Sequence, residues 1–185
     1  MPSAESDNAV TRWFAAAFAH LHPLLQDLHR RGGTLRGTVE VRFGSGLAGR
    51  VGRRLARRIG VPAAGGVLPF RVEIGHADGA LQWNRCFGGD RWMRSTFHPH
   101  GHFPDGYWIE RSGAITLALR VDLADGGWRW RCVGARWHGL PLPLALLPRT
   151  DAYKRVRDGR YEFHVGFSLP LLGEVLAYAG LLDAE

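Results

Sequence analysis

Residues 78–97 read DGALQWNRCFGGDRWMRSTF and contain two alternating segments separated by a glycine-rich turn. One side of the first segment would carry Leu81, Trp83, Arg85 and Phe87. Because successive side chains of a β-strand point to opposite faces, this period of two predicts strands with one buried face. Short turns containing Gly and Asp, such as residues 88–90, join antiparallel neighbours. The stretch therefore predicts an antiparallel hairpin.

The same pattern recurs from residue 68 to the end of the chain. Further turn signals lie at residues 125–127 and 158–159, and we count about nine strands, with no helical period between them after residue 62. The Pro-rich segment GLPLPLALLP, residues 139–148, is predicted to be a crossing loop or a short helix. The final YAGLL segment, residues 178–182, is positioned to pair with the first strand and close the sheet.

The first third of the chain has a different period. Residues 7–30 predict a helix that Asp7 or Asn8 caps and that Pro23 divides, and residues 34–43 predict the first strand. Residues 46–60 then predict a second helix, which is rich in arginine. Its apolar stripe, expected to face the protein, consists of Leu47, Val51, Leu55 and Ile59.

These elements predict an α+β protein that is mostly antiparallel β. We expect a meander of about nine strands that forms a closed or half-open, calycin-like β-barrel, because open sheet edges promote aggregation. An N-terminal helix precedes it and the basic helix lies between strands 1 and 2. Residues 1–6 are predicted to be a disordered tail, and residues 7–185 a single barrel domain.

Composition narrows the classes of protein. The formal charge is +7, but the 23 arginines are spread along the chain and Lys154 is the only lysine, so we predict no nucleic-acid binding. The abundance of Arg, Ala and Gly is typical of a bacterial protein. Cys86 and Cys132 fit no metal-binding spacing and are predicted to be reduced thiols. With no signal peptide and no long apolar segment visible, we expect a cytoplasmic protein.

Several segments in combination resemble one bacterial family. They are GTLRGTVEVRFGSGLAGRVGRRLARRIGVP, WNRCFGG, IERSG, GLPLPLALLPR, VRDGRYEFHV and SLPLLGEVLAYAGLL. Together they resemble the domain of unknown function that carries the number four-one-six-six, over about residues 20–183. The resemblance implies a single domain, which in that family stands alone or follows a dehydrogenase-like nucleotide-binding domain, so a functional association with such a domain is expected. It implies no particular activity, and this sequence departs from the family at residues 97–107.

A buried ion pair is the main candidate for a ligand anchor. Arg85 shares the inward face of its strand with Trp83, and Glu110 lies on the same face of the next-but-one strand as Trp108. An arginine inside a barrel must be paired, because an isolated buried charge is very costly. The pair either holds the strands in register or binds a ligand carboxylate or phosphate. The ligand-binding candidates are Arg85, Glu110, Trp83, Trp108, Trp130, Arg94 and Tyr161.

Three histidines alternate in FHPHGHFPDGY, residues 97–107. His98, His100 and His102 have the spacing of metal ligands on a strand, but the intervening Pro and Gly are typical of a loop. We therefore predict a surface loop, and the metal site remains the alternative. No cofactor is predicted, since no phosphate-binding, dinucleotide-binding or hydrolase motif is found.

The basic helix suggests a second surface of interest. Its arginines, none with an acidic neighbour in the helix, are Arg50, Arg53, Arg54, Arg57 and Arg58. They either lie in solvent while the helix covers the barrel, or contact an anionic membrane surface.

Three functional hypotheses follow. The first is a barrel that binds a small hydrophobic ligand, such as a lipid or acyl chain. The second is an enzyme of the same shape, of the isomerase or cyclase type, in which Glu110 or a histidine acts as acid or base. The third is a peripheral membrane or protein-interaction module that uses the arginine-rich helix.

Overall fold

A computed structural model describes residues 7–185, with the backbone alone at Leu146. The predicted tail at residues 1–6 lies outside the described residues. The helices are α1 (Ala9–Phe14), α2 (Pro23–Arg31) and α3 (Gly46–Ile59), with 3₁₀ helices at Ala15–His20 and Leu144–Leu146. The strands are β1 (Gly33–Phe43), β2 (Gly66–Ala77), β3 (Ala80–Phe87), β4 (Arg91–His100), β5 (Tyr107–Ser112), β6 (Ile115–Ala124), β7 (Gly127–Trp137), β8 (Leu140–Leu142), β9 (Arg149–Arg157), β10 (Arg160–Leu169) and β11 (Gly173–Ala184).

Ten of these strands form a closed antiparallel barrel. The hydrogen-bonded order runs from β1 to β7 and then through β9, β10 and β11 back to β1, with β8 attached to the edge of β7. The predicted closure by the YAGLL segment is confirmed, since Tyr178 pairs with Val41 and Leu182 with Gly37. The contact between β7 and β9 is short, joining only residues 128–130 to residues 152–154. Beyond it, β8 pairs with residues 135–137 of β7.

The sequence prediction is wrong in two strand details. Residues 98–100 were assigned to a loop, but β4 continues through His100, and Pro99 pairs with Trp108 on β5. A proline is tolerated where its missing N–H is not needed by the ladder. The segment at residues 139–148 contains both a short strand and a 3₁₀ turn, whereas only a loop or a helix was expected.

The N-terminal helices close one end of the barrel. Asn8 caps α1, accepting hydrogen bonds from the backbone of Val10 at 2.8 Å and Thr11 at 3.1 Å. Its amide also donates to the carbonyls of His29 and Arg30 at the end of α2, which ties the two helices together. The predicted helix over residues 7–30 is in fact two α-helices with a 3₁₀ helix between them, and Pro23 begins the second.

Aromatic side chains fill this closed end. Trp13 and Phe14 of α1 are almost fully buried. The ring of Trp13 lies 5.4 Å from that of Trp108, and Phe14 lies 5.2 Å from Trp128. Burial of each such ring contributes about 3–5 kcal/mol, judged from truncation to alanine. The helices are therefore an integral part of the barrel core.

Helix α3 packs on the outside of β11. Val51, Leu55 and Ile59 of the predicted stripe are partly buried against the core, but the closest contact is made by smaller residues that the prediction did not include. The buried residues are Ala48, Gly49, Gly52 and Ala56, whereas Leu47 is 61% exposed. A methyl group on Gly52 would overlap the carbonyl oxygen of Val175, so the helix and the strand touch backbone to backbone. The small residues form the closest contact with β11, and the larger apolar residues do not, because only small side chains allow this close approach. None of the helices in residues 7–185 has the length and apolar composition needed to cross a bilayer.

Candidate functional site

The barrel interior contains a cavity of about 510 Å³, within the range typical of small-molecule sites. Its wall is mostly aromatic and aliphatic, and includes Phe70, Trp83, Phe97, Trp130, Phe163 and Tyr178. The cavity reaches the end of the barrel opposite the N-terminal helices, where α3 and residues 147–150 border it. Few polar side chains face the interior, and these determine what it can bind.

Arg85 and Glu110 meet inside the barrel, as the period-two pattern predicted. An Arg85 Nη lies 4.0 Å from an oxygen of Glu110, and both side chains are about 15% exposed. Arg85 also donates a hydrogen bond to the Ser95 hydroxyl at 3.1 Å. A guanidinium has five N–H donors, and 4.0 Å is too long for a hydrogen bond to the carboxylate. Among the described residues, Arg85 therefore retains donors that a ligand could use.

Lys154 is the functional group that the sequence reasoning missed. Although lysines are almost never fully buried, this residue is only 4% exposed and lies in the cavity wall. Its Nζ atom sits 3.6 Å from the ring centroid of Trp83 and 3.7 Å from that of Trp128. The Nε2 atom of His29 lies 3.3 Å away. Within residues 7–185, no carboxylate comes within ion-pair distance of Lys154.

Two effects oppose each other at the Lys154 nitrogen. Each indole face attracts an ammonium by about 2 kcal/mol where water is excluded. Removing an ammonium from water without an anion costs several kcal/mol, and the nearby Arg85 adds repulsion. Burial first, and then the Arg85 charge, hold the pKa of Lys154 well below its ordinary value. Both causes raise the fraction of unprotonated amine above that of an exposed lysine.

The hydrogen bonding of His29 agrees with a neutral amine. His29 is fully buried, and burial followed by the Lys154 charge lowers the pKa of its imidazole, so the ring is neutral. Its Nδ1 atom has no partner among the described residues. If Nε2–H donates to the Lys154 lone pair, Nδ1 is an unpaired acceptor. If Lys154 were an ammonium, the ring proton would have to sit on Nδ1 as a buried, unpaired donor, which is costlier.

The other predicted binding residues divide into two groups. Trp83, Trp130 and Tyr161 line the cavity with Arg85 and Glu110, and burial raises the pKa of the Tyr161 hydroxyl. Trp108 and Arg94 were also predicted to bind the ligand, but neither lies in the interior site.

Trp108 belongs to the closed end, where it packs on Trp13 and does not border the cavity. Arg94 lies on the outer face of β4, exposed at the cavity rim, with its guanidinium 5.8 Å from the Trp92 ring. The reason for this position is the alternation of β4, which turns Met93 and Ser95 inward.

The three alternating histidines are not brought together. His98 is half-buried, whereas His100 and His102 are exposed, and the His100 ring stacks on Tyr107 at 5.0 Å. In the part of the chain that the structure describes, no three His, Cys, Asp or Glu side chains are grouped as metal ligands. Cys86 and Cys132 are free thiols, and burial raises the pKa of Cys132.

The arginines of α3 lie beside the open end of the barrel. All five are exposed, and Arg57 and Arg58 border the cavity. Arg53 differs from the others because its guanidinium stacks 4.7 Å from the Phe43 ring and donates to the Gly49 carbonyl. Exposed apolar side chains at the same end include Leu47, Leu171, Trp137 and Leu140.

The sequence contains a pattern that places the Lys154 side chain inside the barrel. In DAYKRVR, residues 151–157, Lys154 shares one strand face with Ala152 and Val156, while three charged residues and Tyr153 occupy the other. It is also the only lysine in a chain that otherwise uses arginine. The alternation places Lys154 on an inward face, but the residues that surround it come from β3, β7 and α2.

Comparison with known proteins agrees with the resemblance in the sequence. No curated protein matches this chain. A family model described as "Domain of unknown function (DUF4166)" matches residues 21–182, from just before α2 to within β11. Because this match covers most of the sequence, including every cavity-lining strand, the chain belongs to the DUF4166 family, whose members share a domain of unknown function.

Proposed function

We propose that this protein binds a small apolar ligand, lipid-like or acyl-like, inside its barrel, with a hydrogen-bond-accepting end group at Arg85. The observation that carries the proposal is the largely apolar cavity of about 510 Å³ inside the barrel, with incompletely satisfied Arg85 donors in its wall. An apolar chain gains about 25 cal/mol for each Å² removed from water. Donors fixed in such a wall give orientation and specificity.

The charge balance of the interior supports an oxygen-bearing end group. The Arg85 guanidinium lies 4.0 Å from the Glu110 carboxyl group, and burial lowers the pKa of the nearby Lys154 amine. A carboxylate or carbonyl oxygen can accept from the free Arg85 N–H groups without displacing Glu110. A charge-assisted hydrogen bond of this kind is worth about 1.5–3 kcal/mol.

Matched arginine variants test the proposal. Decanoate and decanol are titrated calorimetrically into wild-type protein, Arg85→Met and Arg94→Met. We expect Arg85→Met to weaken decanoate binding by about 10- to 100-fold, and Arg94→Met to change it less than twofold, because Arg94 is exposed at the rim. The double variant Arg85→Met/Glu110→Gln removes both charges and controls for a carboxylate left unpaired. Absence of binding by wild-type protein, with a native mass spectrum showing only the bare chain, would contradict the proposal.

A second candidate function is contact with an anionic membrane during ligand transfer. It is favoured by the position of the α3 arginines and exposed apolar residues at the same end as the cavity opening. Each arginine near an anionic surface contributes about 1 kcal/mol. We expect Arg54→Ala/Arg58→Ala to weaken binding to phosphatidylglycerol vesicles more than tenfold, and Arg31→Ala/Arg120→Ala, at the closed end and on the barrel wall, to have a smaller effect. Equal binding to neutral and anionic vesicles would exclude this role.

An enzyme of the isomerase or cyclase type remains the alternative. The acid or base expected for it was Glu110 or a histidine, and Lys154, whose pKa burial lowers, is a further candidate inside the barrel. Turnover of a hydrophobic substrate that is lost in Lys154→Met but kept in Glu110→Gln would favour an enzyme built around the amine.

A further inference from the structure

We propose that Lys154 forms an imine with the carbonyl carbon of an apolar aldehyde or ketone held in the cavity. The inference rests on the proposed ligand binding and deepens it, since it names the chemistry of the ligand's polar end. It starts from the position of Lys154, a buried residue that lines an apolar cavity without a carboxylate partner in residues 7–185.

An amine attacks a carbonyl only when it is unprotonated, and the Lys154 lone pair must turn from the His29 Nε2 atom, 3.3 Å away, to the carbonyl carbon. An exposed lysine at pH 7 is about 0.04% neutral, since its ordinary pKa is about 10.4. Lysine nucleophiles are activated by an apolar pocket or by a neighbouring cation. Lys154 has both, because it is buried and because Arg85 lies in the same wall. The other titratable groups around it are His29 from α2, Glu110 from β5 and Tyr161 from β10.

The reaction needs no component beyond the amine and the carbonyl compound. The Nζ lone pair adds to the carbonyl carbon, and the π electrons of the C=O bond move to oxygen. A proton passes from nitrogen to that oxygen, which gives a neutral carbinolamine. A second proton from nitrogen leaves with the hydroxyl group as water while the C=N bond forms. The balance is amine plus aldehyde giving imine plus water, with no change in oxidation state.

The chain offers an unusually clean test, because Lys154 is its only lysine. Apart from Nζ, the N-terminal amine is the only primary amine that could form such an adduct. Wild-type protein is incubated with decanal at pH 7, and sodium borohydride is added as the reductant that delivers hydride to the imine carbon. Intact mass and peptide mapping then count and locate the secondary amine. We expect one decyl group per chain, on Lys154.

A matched control separates an activated amine from an ordinary one. The variant Lys154→Met/Arg120→Lys moves the single lysine to the outer face of β6, where Arg120 is exposed. We expect this exposed lysine to be trapped at least tenfold more slowly than Lys154 at pH 7. Peptide mapping of the wild-type protein locates the adduct directly, so the result does not depend on the folding of Lys154→Met.

The outcomes separate this inference from the proposed function. Equal trapping at the exposed lysine, an adduct at the N-terminus alone, or no adduct would overturn the imine. If decanol binds in the native mass spectrum but decanal is not trapped, ligand binding stands and the imine does not. If neither occurs, both proposals fail. Selective trapping at Lys154 supports the imine whether or not decanol is retained.

Discussion

The protonation state of Lys154 yields a prediction about stability. If the folded protein holds this amine neutral, unfolding exposes it to water and it takes up a proton. The change tested is Lys154→Met, which keeps an unbranched side chain of similar length and removes the titration. Around Nζ the structure places two indole rings, His29 and Arg85, and no carboxylate within ion-pair distance in residues 7–185.

The sign and the size of the pH dependence of the unfolding free energy follow from proton linkage. The folded pKa of Lys154 is lowered below that of the unfolded chain, about 10.4. Between these two values the unfolded state binds one more proton than the folded state, so the free energy of unfolding rises with pH. One such group contributes about 1.4 kcal/mol per pH unit. Below the folded pKa both states are protonated and the slope disappears.

The assay is urea unfolding of both proteins at pH 7, 8 and 9, followed by tryptophan fluorescence. We expect the difference in unfolding free energy, wild type minus Lys154→Met, to rise by about 2–3 kcal/mol over this range. Other titrating groups, such as Cys132 with its raised pKa, are common to both proteins and cancel in the difference. The comparison therefore isolates the lysine.

A difference in unfolding free energy that does not change with pH would refute the neutral amine. In that case the two indole faces would hold a permanent ammonium, and Lys154 would be a structural cation. The imine proposal would then lose its chemical basis, whereas the binding function assigned to Arg85 would be unaffected.

Three further predictions concern the elements around the cavity. Gly52→Ala forces α3 away from β11 and should lower the free energy of unfolding by about 1–3 kcal/mol. Gly75→Ala is the control and should change this free energy little, because the added methyl group meets open space. Equal effects of the two substitutions in a urea titration would contradict the close packing of α3 on β11. Asn8→Ala should cost about 2 kcal/mol, and Asn8→Ser less, because a serine hydroxyl still caps α1; identical losses on thermal unfolding would show that the cap contributes little. Burial lowers the folded pKa of His29, so wild type should lose stability relative to His29→Phe as pH falls below 6.5; parallel curves from pH 7 to 5 would disprove a neutral imidazole.

Much of the barrel could be predicted because its signals are local. Alternation in residues 81–97 and the turns at residues 88–90 and 158–159 depend on neighbouring residues, since strand faces and tight turns are set over a few peptide units. Arg85 and Glu110 could be paired from the same alternation, together with the cost of an isolated buried charge. Arg94 was misplaced because it was grouped with Trp92, whose side chain lies on the outer face of β4.

The sequence alone determined an antiparallel meander, a last strand positioned to pair with the first, and an inward arginine, whereas the closure of the barrel was established by the structure. Only the tertiary structure decided which face of α3 packs and what surrounds Lys154. His29 and Lys154 are 125 residues apart and meet because α2 closes the barrel that β9 helps to form. The proton affinity of a buried amine depends on every group within a few ångströms, and a closed barrel gathers those groups from strands and helices distant in sequence.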